Sequence, residues 1–227
     1  MGSKVVFENE EYVGQLLLPA EEQLLKQQLY GVVGFNSALL MSLFKDNEEK
    51  ILGAAQVAKA YFDAPYKGLS AGDSEFGMQL IRPQHILRST AATEATAATW
   101  SFTFTVNGDY YVGFGTDNTT AINVDKRLLM VVLAVAFTQG VLPTVEELLW
   151  QIGSTTYPVD VIRHAWLADN VNQVRYSRIR PKILVPKQTA IVQSWSIAAQ
   201  VQELVIVGLS FAKGDLLRTQ NPSTVQT

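Results

Sequence analysis

The sequence predicts a mainly β protein with a helical N-terminal region. Residues 174–211 suggest three consecutive strands, at 174–185, 190–198 and 201–211. Apolar residues alternate along the last of them, which is the period of a strand buried on one face. Helix signals, by contrast, are concentrated before residue 62. These two regions together predict the fold class.

Composition narrows the class of protein. The chain has 227 residues, of which 48% are hydrophobic and only 17% are charged, against about 25% charged residues in an average soluble domain. A surface of low charge fits either contact with other subunits or a large core under a Thr, Gln and Ser surface. The net charge of −3 gives no global attraction to nucleic acid or to an anionic membrane. The absence of cysteine excludes disulfides and thiolate metal sites.

The N-terminal region begins with an extended segment, residues 1–18, which we expect to act as an arm. Pro19 with acids beside it predicts the start of a first helix, and we expect Asn36 to cap a short second helix. We expect Asp46 to cap a third helix and Glu49 to reach back to it, as in a capping box. We therefore divide the chain into an arm with helices and a β domain, at 1–62 and 63–227.

Three further segments of the β domain are assigned by periodicity. The apolar run 128–137 predicts a buried strand, with a helix as the alternative. Pro and acids at the start of 143–150 predict a short helix, and 157–167 predicts another strand. Regularly spaced short strands of this kind are typical of a sandwich or a barrel.

Residues 100–114 predict a β-hairpin, because aromatic and apolar residues alternate on both sides of an Asn-Gly pair. A two-residue loop would place apolar and polar residues together on each face of the hairpin. A three-residue loop at 106–108 instead pairs Phe104 with Tyr110 and gives Gly108 the left-handed position that such loops favour. We expect Phe104 to point into the core.

Two possible catalytic features have weak support. The segment Gly68-Leu69-Ser70-Ala71-Gly72 matches the G-x-S-x-G nucleophile elbow. Its flanks lack the strand and the helix that this chemistry needs, so we expect a flexible loop and no nucleophile at Ser70. The only histidines, His85 and His164, are too few for a typical metal site. We expect no enzyme activity, no cofactor and no metal.

The most uneven charge feature is a basic band with a single acid, Asp169, within it. The band consists of Arg163, Arg175, Arg178, Arg180, Lys182 and Lys187. A protein interface formed by Arg175, Arg178, Arg180 and Lys182 is the favoured interpretation. Solvated surface is the next, and nucleic acid is unlikely.

The closing strands carry a resemblance. Arg180-Pro181 opens a strand, Pro186-Lys187-Gln188-Thr189 turns the chain, and Gly208 interrupts the apolar residues of the last strand. This pattern, over about forty residues, resembles jelly-roll structural proteins of virus particles, as in capsid cement and coat proteins of bacteriophages. The resemblance implies a jelly-roll-like antiparallel β-sandwich and an N-terminal arm that reaches a neighbour.

The expected function follows from that resemblance. It is a non-enzymatic virion structural protein, a capsid cement or coat subunit that binds other capsid subunits and forms a homo-oligomer such as a trimer, without a membrane. We also expect residues 1–18 to pack on a neighbour, so that their removal leaves the β domain folded. One alternative is a phage tail connector, and another is a serine hydrolase using Ser70. A third is a receptor- or sugar-binding module that uses Trp100, Tyr110, Tyr111, Trp166 or Trp195.

Overall fold

The computed structural model of the protein describes residues 2–8, 10–32, 38–86, 101–104, 108–111, 122–137, 144–162, 175–214 and 216. The helices are α1 Pro19–Val32, α2 Ala38–Asp46, α3 Glu48–Phe62 and the short α4 Pro83–Ile86. The strands are β1 Gly2–Phe7, β2 Glu10–Gln15, β3 Phe76–Leu80, β4 Ser101–Phe104, β5 Gly108–Tyr111, β6 Ile122–Asn123, β7 Leu128–Phe137, β8 Val145–Ile152, β9 Thr155–Thr156, β10 Asp160–Val161, β11 Arg175–Leu184, β12 Thr189–Ser196 and β13 Gln200–Lys213. The prediction of a mainly β protein with N-terminal helices is therefore confirmed.

The strands in the described ranges form three antiparallel sheets. β1 and β2 pair only with each other among the described strands. One larger sheet has the order β11-β7-β13-β3, with β4 beside β13. The other has the order β10-β8-β12-β5, with β6 beside β12 and β9 beside β8.

Strand β7 lies in the middle of three layers and is buried along its whole length. Met130 and Val132 belong to a core shared with Trp150 of the second sheet. Leu129 and Val131 belong to a separate core that the first sheet shares with α1, α2 and α3. A strand covered on both faces has a continuous apolar sequence, so the prediction of a buried strand at 128–137 is confirmed.

Strand β13 is also covered on both faces. Leu204 and Ile206 lie in the core between the two sheets, whereas Leu209 and Phe211 lie in the core under the helices. The prediction that 201–211 is buried on one face is therefore wrong. Gly208 sits at a register shift against β7, and a Cβ there would lie 2.0 Å from the backbone carbonyl oxygen of Val131, so the close approach requires glycine.

The predicted hairpin at 100–114 is wrong. β4 pairs with β13 in the first sheet, and β5 pairs with β12 in the second. The two pairings continue each other without a register shift. Phe104 at the end of β4 lies opposite Gln200, and Gly108 at the start of β5 lies opposite Ser196, so the same number of residues separates the two positions on each side. The two strands thus run beside β12 and β13 where the chain passes from one sheet to the other, as strands do at the corner of a sandwich. Residues 105–107 lie outside the described part, as does the side chain of Phe104.

The short helix predicted at 143–150 is a strand, β8. Leu148, Trp150 and Ile152 are buried at alternate positions, and Trp150 pairs with Val192 of β12. The Pro and the two acids that suggested a helix start are a local signal, which long-range pairing overrides. In the segment predicted as a strand at 157–167, only β10 is a strand among the described residues.

The three long helices confirm the helical prediction. The capping box of α3 is wrong, however, because Asn47 occupies the N-cap position and makes no side-chain cap hydrogen bond. Asp46 is instead the last residue of α2. The predicted cap of α2, Asn36, lies outside the described residues.

The N-terminal segment is a hairpin on its own subunit, so the expectation of an arm that packs on a neighbour is wrong for its inner face. Phe7 is only 1% exposed and belongs to the core under the helices, where its ring lies edge-on to Tyr12 at 6.2 Å. A Cβ on Gly53 of α3 would approach the side chain of Val5 to 2.8 Å. The arm and helices therefore share a core with the first sheet, and the domain boundary at 62/63 stays a prediction.

Candidate functional site

The four residues proposed as an interface lie along β11, but the structure does not give them one common surface. Arg178 and Arg180 are exposed, and Lys182 is buried. Arg175 begins the strand opposite Phe137, and its side chain lies outside the described set, as does Arg163. Lys187 is exposed in the turn that follows the strand.

Lys182 holds a buried cluster of charges within the subunit. Its Nζ lies 3.1 Å from Oε1 of Glu8 and 3.2 Å from Oδ2 of Asp160. It also donates to the carbonyl of Arg180 at 3.0 Å and lies 5.3 Å from the ring centroid of Tyr157, a cation–π distance. The expected outward-facing lysine is thus an internal contact between the N-terminal hairpin and both larger sheets.

A second network lies beside this cluster. Tyr12 donates a hydrogen bond to Glu10, and Thr155 and Tyr157 also hydrogen-bond to that carboxylate. Burial raises the pKa of Glu10, but these hydrogen bonds outweigh it and the net pKa is lowered. Burial is the main cause that raises the pKa of Tyr12 and of Tyr157. Both phenols therefore stay protonated and continue to tie the hairpin to the β8–β10 region.

Arg178 connects the first sheet to the helices at the surface. Its Nη1 lies 2.8 Å from Oδ2 of Asp46, with both side chains 48% exposed, and its Nη2 donates to Ser42 at 3.3 Å. An exposed pair of this kind contributes little to stability. Arg178 is nevertheless partnered within the subunit, whereas Arg180 makes no ion pair with any residue in the described part of the chain.

The exposed face of the N-terminal hairpin carries large apolar residues beside the Lys4–Glu11 ion pair. Val13 is 74% exposed, and Leu16 and Leu18 of the following segment are 58% and 61% exposed. Val6 lies on the same face and is 44% exposed. We call these four residues the apolar strip. They lie within the segment 1–18 that was predicted to pack on a neighbour, whereas Phe7 faces the core of the subunit itself.

Ser70 does not meet the requirements of a nucleophile elbow. It ends a short 3-10 helix, Gly68–Ser70, and its hydroxyl donates to the carbonyl of Lys67 at 3.0 Å. A turn and then strand β3 follow it, where an elbow needs a helix. His164, one of the two histidines that a serine hydrolase could use as a base, lies outside the described residues.

The remaining candidate residues are dispersed. His85 is buried, and its Nδ1 accepts a hydrogen bond from the backbone of Arg82. Within the described ranges, no group of three or more His, Cys, Asp or Glu side chains is placed to hold a metal ion. Of the aromatic candidates for a binding module, Trp195 is 43% exposed on β12. Trp100 and Trp166 lie outside the described residues, as do the side chains of Tyr110 and Tyr111.

Comparison with protein families, with curated proteins and with solved structures finds no match for this chain. Among the described residues, no helix has both the length and the apolar character needed to cross a membrane.

Proposed function

We propose that the chain is a non-enzymatic structural subunit of a bacteriophage virion, a capsid cement or coat protein whose two larger sheets form a jelly-roll-like sandwich. The proposal rests on the pattern of the closing strands and on the apolar strip. Val6 and Val13 on the outer face of the hairpin, with Leu16 and Leu18 in the segment that follows it, expose more large apolar side chains than the scattered exposure that needs no explanation. Burial of this strip against a neighbouring subunit removes it from water.

The geometry of the hairpin supports a role in assembly. Its inner face is fixed to α3 by Phe7 and by a hydrogen bond from Lys50 Nζ to the carbonyl of Val6, 2.8 Å long. A fixed hairpin loses little conformational entropy when a neighbour binds, which favours association. The partner in this proposal is a second copy of the chain, in a homo-oligomer such as a trimer, together with other capsid subunits.

The test is sedimentation velocity of the full chain over a range of concentrations. Val13→Lys/Leu18→Lys places two charges on the apolar strip and should convert the oligomer to a monomer. At concentrations where wild type is also monomeric, the two proteins should have the same unfolding midpoint. The matched control is Val159→Lys/Val161→Lys, since these valines are 39% and 57% exposed elsewhere on the surface. A wild-type chain that stays monomeric, or equal dissociation in both variants, would count against the proposal.

The virion itself is tested by electron microscopy of particles from the native source, where density for this chain on the capsid is expected. A receptor- or sugar-binding module is the second candidate, and the exposure of Trp195 favours it. Glycan binding that is lost in Trp195→Ala, with the chain absent from the capsid shell, would favour that candidate.

A further inference from the structure

A cationic depression of about 360 Å³ opens beside the C-terminal end of α3. Two aromatic residues and four basic residues line it, namely Tyr61, Phe62, Lys126, Arg127, Lys187 and Lys213. We call this depression the basic pocket. Among these basic residues, only Lys187 belongs to the basic band noted in the sequence. Lys126, Arg127 and Lys213 become its neighbours because the turns and strand ends that carry them meet at one edge of the molecule.

The backbone holds these segments together. The N–H of Lys187 donates to the carbonyl of Val124 at 2.9 Å, and the N–H of Val124 donates to the carbonyl of Gln188 at 2.8 Å. The N–H of Lys213 donates to the carbonyl of Arg127 at 3.1 Å. Lys187 adopts a φ of +66°, a left-handed conformation that is uncommon for a residue other than glycine. The cations therefore project from a backbone that is fixed in advance.

The charge of the basic pocket is only partly balanced. Arg127 is held by Asp125, with its Nε 3.2 Å from Oδ1. Lys126, Lys187 and Lys213 make no ion pair with any residue in the described part of the chain. By comparison, the buried lysines Lys59 and Lys182 both face carboxylates. Three ammonium groups without a carboxylate thus share one concave site in a chain whose net charge is −3.

We propose that the basic pocket binds the phosphate group of a nucleotide, either free or within a single strand. Ammonium groups bind phosphate as point charges, and a fixed backbone confines the ordering cost of binding to the lysine side chains. Tyr61, at the rim, is 49% exposed and offers a ring on which a base can stack. The volume lies within the range of small-ligand sites. This proposal does not depend on the structural role argued above.

The test is titration calorimetry at low salt with three probes: pyrophosphate, ADP and an oligothymidylate. Lys126→Gln/Lys187→Gln should weaken binding of every probe that binds by roughly tenfold or more, because hydrogen bonds to charged groups contribute on that scale. The matched control, Lys45→Gln/Lys67→Gln, removes the same charge from two exposed lysines outside the basic pocket and should leave affinity within about twofold. All four side chains are exposed, so both variants should keep the wild-type unfolding midpoint.

The probes also distinguish the sources of the phosphate. Tyr61→Ala should weaken binding of ADP and oligothymidylate but leave binding of pyrophosphate unchanged. That result would show that the Tyr61 ring contacts the base. Oligothymidylate binding without ADP binding identifies a nucleic-acid strand as the source of the phosphate. The slope of log affinity against log salt concentration should then fall by about one for each lysine removed.

Three results would overturn the proposal. One is no binding of any probe by the wild-type chain, and another is equal weakening in the two double variants. The third is self-association that disappears in Lys126→Gln/Lys187→Gln without phosphate binding, since it would assign the basic pocket to an acidic segment of another copy.

Discussion

Lys59 and Lys182 are both buried lysines that fix the N-terminal region to the rest of the subunit, but they face different surroundings. Lys59 of α3 meets one carboxylate, Glu21, at 2.6 Å, and donates to the carbonyl of Leu16 at 3.1 Å. Lys182 of β11 meets two carboxylates, Glu8 and Asp160. The first site is a neutral pair, whereas the second carries one excess negative charge when all three groups are ionised.

The difference lies in what remains when the lysine is removed. Without Lys59, the carboxylate of Glu21 still accepts hydrogen bonds from the backbone N–H groups of Leu18 at 2.7 Å and Tyr66 at 2.9 Å. Without Lys182, the carboxylates of Glu8 and Asp160 remain close together with no cation between them. Breaking a buried pair costs most when it leaves an uncompensated charge, so the two lysines should differ in their contribution to stability.

Replacing Lys182 should give the larger effect. We expect Lys182→Met to lower the free energy of unfolding by about 3–5 kcal/mol, as measured by urea denaturation at neutral pH. The remaining carboxylates of Glu8 and Asp160 are only 14% and 7% exposed, so solvent screens them weakly. Lys4→Met, which removes a lysine from an exposed pair, is the control and should leave the midpoint unchanged. A Lys182→Met protein as stable as wild type would show that the cluster is not buried in the folded state.

Replacing Lys59 should cost less. We expect Lys59→Met to lower the free energy of unfolding by about 2–3 kcal/mol, because Glu21 keeps two backbone donors. The same urea denaturation measures it. A larger loss of unfolding free energy in Lys59→Met than in Lys182→Met would contradict the proposed difference between the two lysines.

Lowering the pH should reduce the stability contributed by the Glu21 site gradually, and by less than either lysine substitution does. Burial raises the pKa of Glu21, but hydrogen bonds from Lys59, Leu18 and Tyr66 outweigh it and leave the pKa below the ordinary value of 4.5. A carboxyl whose folded pKa is lowered contributes stability that is complete above its unfolded pKa and lost as the pH falls through the folded pKa. Below about pH 4.5, stability should therefore decline more steeply in wild type than in Glu21→Gln, as measured by urea denaturation at several pH values. Equal slopes would contradict the lowered pKa.

Local sequence signals correctly predicted those helices and strands whose formation depends on residues that are close in sequence. Pro19 with its acids marks the start of α1, and the apolar run of β7 marks a buried strand. The errors occurred where distant pairing decides. The acids after Pro143 suggested a helix, but Trp150 pairs with Val192, and Phe104 pairs with Gln200 instead of closing a hairpin.

The candidate site was predicted less well for the same reason. Lys182 looked like an exposed basic residue because its partner Glu8 is 174 positions away in the sequence. The basic pocket has no local signature either, since Lys126, Lys187 and Lys213 come from three separate segments. A signal was available at Asp125-Lys126-Arg127 and Pro186-Lys187, which both read as charged turns, but only the strand order places them side by side.

The central claim is that the N-terminal hairpin belongs to the core of its own subunit, and removal of residues 1–18 tests it most directly. The measurement is the urea unfolding midpoint of the full and truncated chains at a high and a low protein concentration. The truncation removes Phe7 from its core and Glu8 from Lys182, so it should cost about 4 kcal/mol or more. Most of this loss should persist at the low concentration, because the contacts of Phe7 and Glu8 lie within one chain. An unchanged midpoint, or a loss that disappears on dilution, would instead place the hairpin on a neighbouring subunit.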